Sequence, residues 1–146
     1  MAEVLDIKDW VGQLLKQLES GEVKKLNQQI GFLLRQRNAQ RIADQVQPDG
    51  TPFEERKDQR GTLRQRSMFK KLRTRRHIKI RSRANGVTVG FEGRSGSIAR
   101  THHYGLRETF FGQSIQFAER KLLGFTDDDI QAIQELIENH LLQKNS

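Results

Sequence analysis

The stretch 78–91 constrains this chain most. Ile78 and Ile80, then Val87, Val89 and Phe91, stand at alternate positions on either side of Asn85-Gly86. Alternation with a period of two marks strands with one buried face, and Asn-Gly tolerates the positive φ of a primed turn. The spacing predicts a β-hairpin over about 77–92, turning at Asn85-Gly86 or, with Ala84 included, through a three-residue loop. Beyond it, Gly93-Arg94-Ser95-Gly96 reads as a turn and residues 97–105 as a short helix closed by Gly105. Residues 106–113 read as a loop, and Ile115 and Phe117 as a further strand.

Helical periodicity flanks this segment on both sides. Val4, Ile7, Val11, Leu14 and Leu18 recur at intervals of three and four, and Leu26, Ile30, Leu33, Leu34, Ile42 and Val46 carry a second stripe. With Ser20-Gly21 as a stop between them, residues 1–47 are expected to form a helical hairpin. The polar run 35–40 fits a wet face of the second helix. Gly31 inside that helix costs about 1 kcal/mol relative to Ala unless close packing requires it. At the other end Thr126 is the expected N-cap, Asp127, Asp128 and Asp129 fill the first turn, and Ile130, Ile133, Leu136, Ile137 and Leu141 share a face of a helix over 126–143. The fold class expected is α+β: helical hairpin, small antiparallel sheet over 77–125, closing helix.

Charge adds one constraint. Residues 54–83 hold 13 basic and 3 acidic groups, so the whole net charge of +8 sits in that block while both flanks are near neutral. Both prolines fall in 48–52, ending the second helix. Residues 48–76 are therefore expected to be a flexible basic arm within one domain spanning 1–146. Such a block meets a polyanion or orders on an acidic protein surface, and no reader motif for base edges accompanies it.

Catalytic chemistry finds little footing. With no cysteine in 146 residues there are no disulfides or thiolate metal sites, and no apolar run is long enough to span a membrane. His102 and His103 are adjacent, so they project in different directions and cannot readily share a metal. Only a distant His77 or His140 would complete such a site. Ser95 and Ser97 lack a nucleophile elbow, and no phosphate-cradling loop is present. The three aspartates are accounted for by helix capping. No cofactor is expected.

Four segments, in order, carry a resemblance over nearly the whole chain. Pro48-Asp49-Gly50-Thr51-Pro52-Phe53 after Arg41-Ile42-Ala43, then Val89-Gly90-Phe91, then Ile98-Ala99-Arg100-Thr101-His102-His103-Tyr104-Gly105, then Arg120-Lys121-Leu122-Leu123-Gly124-Phe125-Thr126, are similar to segments of the phage virion morphogenesis family. These are tail completion proteins of contractile-tailed temperate bacteriophages such as Mu and its relatives. The matching positions are Pro48, Asp49, Gly50, Arg100, His102, Tyr104, Gly105, Arg120, Leu123 and Gly124.

The resemblance implies a structural protein, not an enzyme. Made in the host bacterial cytoplasm, it would join the head-proximal end of the virion tail, stop tail growth and permit head joining. It implies a homo-hexameric ring meeting tail tube, sheath, neck or connector proteins, and no membrane. On this reading Arg56, Lys57, Arg60, Arg64, Arg66, Lys70, Lys71, Arg73, Arg75 and Arg76 make contacts between subunits or line a channel with non-specific contact to packaged DNA. The rival reading is a basic nucleic-acid-binding accessory protein.

Overall fold

A computed structural model describes residues 4–6, 20–55, 67–83 and 86–144. Its elements in chain order are β1 (Val4–Asp6), α1 (Ser20–Ala43), β2 (Ile78–Arg83), β3 (Gly86–Phe91), α2 (Gly93–Tyr104), β4 (Arg107–Phe110), β5 (Gln113–Gln116) and α3 (Asp127–Lys144). Among the described residues, three helices and two small antiparallel sheets make the α+β class expected.

The hairpin forms where the alternation placed it, with Ile80 opposite Val89 and Arg83 opposite Gly86. Gly86 thus pairs inside β3, and only residues 84 and 85 lie between the strands. The turn itself falls outside the described residues. β3 is the central strand of the order β1-β3-β2, which is why Val87, Val89, Gly90 and Phe91 are all buried while β2 alternates toward solvent.

Helix α1 crosses β2 and β3 and buries Val23, Leu26, Ile30 and Leu34 against them. It comes close because Gly31 has no side chain: a Cβ there would lie 2.5 Å from the Ile80 Cγ2 and 2.9 Å from the Val87 Cγ2. Helix α3 packs on another flank of α1 and adds Ile133 and Ile137 to the same core, with Leu122 and Leu123 from the segment before it. Each such side chain stabilises the fold by roughly 1.5–3 kcal/mol relative to an exposed one.

Several expectations are corrected. Val4–Asp6 is a strand paired with β3, so the helix expected from Val4 does not begin there, and the rest of it falls outside the described residues. Ser20-Gly21 lie in the first described turn of α1, and the helix they were expected to end falls outside the described residues. Gly93-Arg94-Ser95-Gly96 is the first turn of α2, entered from extended Glu92 and closed by Gly105 at φ 63°. Part of the loop expected over 106–113 is β4, which pairs with β5 as a separate two-stranded sheet, so the further strand does not join the hairpin. Asn38, expected on a wet face of α1, is buried. In the expected basic arm, Phe53, Met68 and Leu72 are core residues, and 67–76 runs in turns with Phe69 at φ 63°.

Candidate functional site

Most of the family-type positions meet in one place. The segment 117–126 has no regular structure and threads between the loop after α1 and the end of α2. Backbone groups without a ladder must find partners elsewhere, and here they find the other segments. The Arg120 N–H donates to the His102 carbonyl at 2.8 Å, the Lys121 N–H to Gln47 Oε1 at 3.0 Å, the Leu122 N–H to His103 Nδ1 at 3.2 Å and the Gly124 N–H to Asn38 Oδ1 at 3.0 Å. Arg120 is buried and its Nε donates to the Glu54 carbonyl at 2.8 Å. Leu123 is buried beside it.

Two glycines set how closely these segments approach. A Cβ on Gly124 would stand 2.5 Å from the Pro48 Cγ, so these two segments, far apart in sequence, approach this closely only because Gly124 has no side chain. At Gly105 the backbone is left-handed, and a Cβ would come within 2.8 Å of the Glu119 nitrogen. Asp49 holds the preceding turn, its Oδ1 accepting from the Thr51 N–H at 2.9 Å and hydroxyl at 2.6 Å, with Gly50 at φ 89°. Those bonds hold the Asp49 carboxyl below its ordinary pKa, the Thr51 hydroxyl contributing most.

The histidines serve the same junction. His102 stacks edge-on between Phe69, at 4.9 Å, and Phe117, at 5.2 Å, and Phe69 in turn meets Phe53 at 5.6 Å. Burial, then the charge of Arg120, lowers its pKa, so the ring is held neutral. Burial lowers the pKa of His103 as well, with Lys121 adding to the effect and Glu119 opposing it. Among the described residues no group of three or more His, Asp or Glu is arranged to hold a metal. Arg100 and Tyr104 stand apart: the Arg100 guanidinium lies 5.9 Å from the exposed Tyr104 ring, outside the junction.

An ion cluster, not foreseen from the sequence, locks α1 to α3. Asp129 is fully buried; Arg37 Nε donates to its Oδ1 at 2.5 Å and Arg41 Nη2 lies 2.9 Å from its Oδ2. Asp129 also completes a capping box: its N–H donates to Thr126 Oγ1 at 3.0 Å and its Oδ2 accepts from the Thr126 N–H at 3.1 Å. Burial pushes the carboxyl pKa up, but the bonds from Arg41, Arg37 and Thr126 outweigh it and hold the pKa below the ordinary value. Arg41 Nη2 reaches Asn38 Oδ1 at 2.8 Å and the Gly124 carbonyl at 3.0 Å, joining this cluster to the junction. The cue available was Arg41 at helical spacing from Asn38 and Arg37, the latter two lying in the run 35–40 read as a wet face.

Of the expected contact residues, Arg56, Lys57, Arg60, Arg64 and Arg66 lie outside the described residues. Lys70, Lys71, Arg75 and Arg76 are exposed and Arg73 half-buried. Arg73, Arg75 and Arg76 come together with Arg35 and Lys79 along two adjoining clefts of about 480 and 410 Å³ that share Phe32, Arg35 and Arg75. No residue lining them is acidic. Lys70 and Lys71 do not join them.

Comparison with known proteins adds the following. A family model described as the phage virion morphogenesis family matches residues 2–142. The chain is 36% identical over 148 aligned positions to tail completion protein S of Escherichia phage P2, covering 97% of this chain and 99% of that protein. No solved structure matches it.

Proposed function

This chain belongs to the phage virion morphogenesis family, and from that premise we propose that it is a tail completion protein: a structural component of the virion tail that binds its head-proximal end, halts tail growth and permits head joining. The observation that carries this reading is the correspondence with the P2 protein, which runs over 97% of this chain and 99% of that one. The family-type positions support it physically. They hold irregular backbone in place through Pro48, His102, Gly105, Arg120 and Gly124.

A protein that stops a growing tube needs a rigid body and surfaces left free for neighbours. The junction supplies the first. The cationic cleft, the Arg100–Tyr104 face and the exposed β4–β5 sheet with Phe111 at its tip supply the second. In this reading the copies form a closed ring, each using two different patches. Antibody-gold labelling of tails carrying a tagged chain tests the placement. Gold at the end next to the head is expected; gold along the tube or at the distal end refutes it.

A further inference from the structure

The cleft between α1 and residues 73–82 has a composition that selects its occupant. Arg35, Arg73, Arg75, Arg76 and Lys79 surround Phe32, which is 43% exposed, with the Arg35 guanidinium 5.2 Å from its ring centre. Five cations line the cleft with no carboxylate among its described lining residues, and Lys79 feels a nearby acid, Glu92. Burial, then the Arg75 charge, lowers the pKa of the Arg35 guanidinium, which reflects the same crowding. The partner must bring anionic groups in a row and an apolar contact for the phenyl ring.

The chain itself presents such a row. Helix α3 buries Asp129, Ile133 and Ile137 on its inner side, and its outer side exposes Asp127, Asp128, Glu135 and Glu138, ending in Leu142 at 68% exposure. At about 1.5 Å rise per residue, Asp128 to Glu138 spans roughly 15 Å and the cleft wall from Gln28 to Ala39 roughly 16 Å. Within one molecule the two cannot meet. α1 turns Arg37 and Arg41 toward α3 and Phe32, Arg35 and Ala39 toward the cleft, roughly 120–180° away around the helix axis.

We propose that the cleft receives the acidic outer face of α3 from a second copy of this chain, a head-to-tail contact of a helix in a groove. Complementary charge along a matched length, with the exposed Leu142 one turn beyond Glu138 adding an apolar contact, favours this occupant over a nucleic acid strand, whose phosphates offer none. The inference rests on the ring reading above and names the two surfaces that make the ring.

The test uses the full-length chain. Arg75→Glu with Arg76→Glu, and separately Glu135→Lys with Glu138→Lys, each weaken self-association in sedimentation at least about tenfold at low salt. Combining all four restores association. Because the chain has no cysteine, Arg75→Cys with Glu135→Cys reports the same contact inside assembled tails: oxidation gives a ladder of linked copies that neither single cysteine gives.

A combined variant no better than either pair, or tails without a ladder, overturns the proposal. So does a cleft variant that loses binding to a duplex DNA oligonucleotide while associating normally, which would assign the cleft to nucleic acid. If virus lacking the gene builds complete tails while the purified chain still forms the ladder, the tail-completion reading fails and this contact stands.

Discussion

Replacing Asp129 by Asn removes one charge and almost no volume, and it isolates the interaction that fastens α3 to α1. The carboxylate is fully buried and faces Arg41, whose side chain is 14% exposed, and Arg37, whose side chain is 36% exposed. Breaking a buried pair by neutralising one partner costs about 3–5 kcal/mol, because the other charge is left without compensation. Arg37 can turn to water, so the lower end applies: about 3 kcal/mol, a large share of the stability of any small domain. Thr126→Ala, which weakens only the cap, should cost about 1 kcal/mol. For a chain near 150 residues the Asn variant should melt roughly 6–12 °C lower.

Urea unfolding followed by circular dichroism measures both variants. The acid limb gives an independent check. A carboxyl with a lowered folded pKa contributes stability that is complete above its unfolded value, about 3.9, and is lost as pH falls through the folded value. The wild type should therefore lose stability at the acid end more steeply than Asp129→Asn. A loss below about 1 kcal/mol in the Asn variant, no larger than that of the cap, would refute the role given to the Arg37–Asp129–Arg41 cluster.

Three further outcomes are expected. Gly124→Ala places a methyl against Pro48 and should cost about 1–3 kcal/mol by thermal melting, with relief when Pro48→Ala is added; equal losses in single and double variants would count against the contact. Gly31→Ala pushes α1 off the sheet through Ile80 and Val87 at a similar cost, and combination with Ile80→Ala should lose less than the sum of the two single changes. His102 has a folded pKa below its unfolded value of about 6.5, so its contribution is full above that pH and declines as pH falls toward the folded value; His102→Phe keeps the ring stack and should flatten the melting profile between pH 7 and 5, whereas an unchanged profile would exclude His102 as its source.

The strands of the hairpin were legible because Ile80 and Val89 each carry the period-two signal locally. Helix α3 was legible through Thr126, whose hydroxyl does bond the backbone three residues on. The misreadings share a cause. Val4 and Ile7 are three apart, a helical spacing, but the open edge of β3 gives Val4–Asp6 strand partners more than eighty residues away, which no local window registers. Ser20 and Gly21 are helical although both are weak helix formers, because Val23 and Leu26 just beyond are buried and packing outweighs the weak local preference. β4 has no alternation to read because its two-stranded sheet covers no core.

The junction was half legible. Pro48, Gly105, Arg120 and Gly124 stood out as family-type positions, but that Pro48 touches Gly124 depends on a chain path of more than seventy residues. Asn38 gave no signal, since polar residues at helical spacing are usually solvated, and Arg41 stood only in the segment Arg41-Ile42-Ala43 with no partner indicated. Only the fold shows that the carbonyl and amide of Gly124 lie within their reach.

Electron microscopy of tails made by the phage with its gene for this chain removed tests the central claim most directly. The expected result is tails that are over-long or lack heads, restored to normal by the chain supplied in trans. Tails of normal length joined to filled heads in its absence would contradict it.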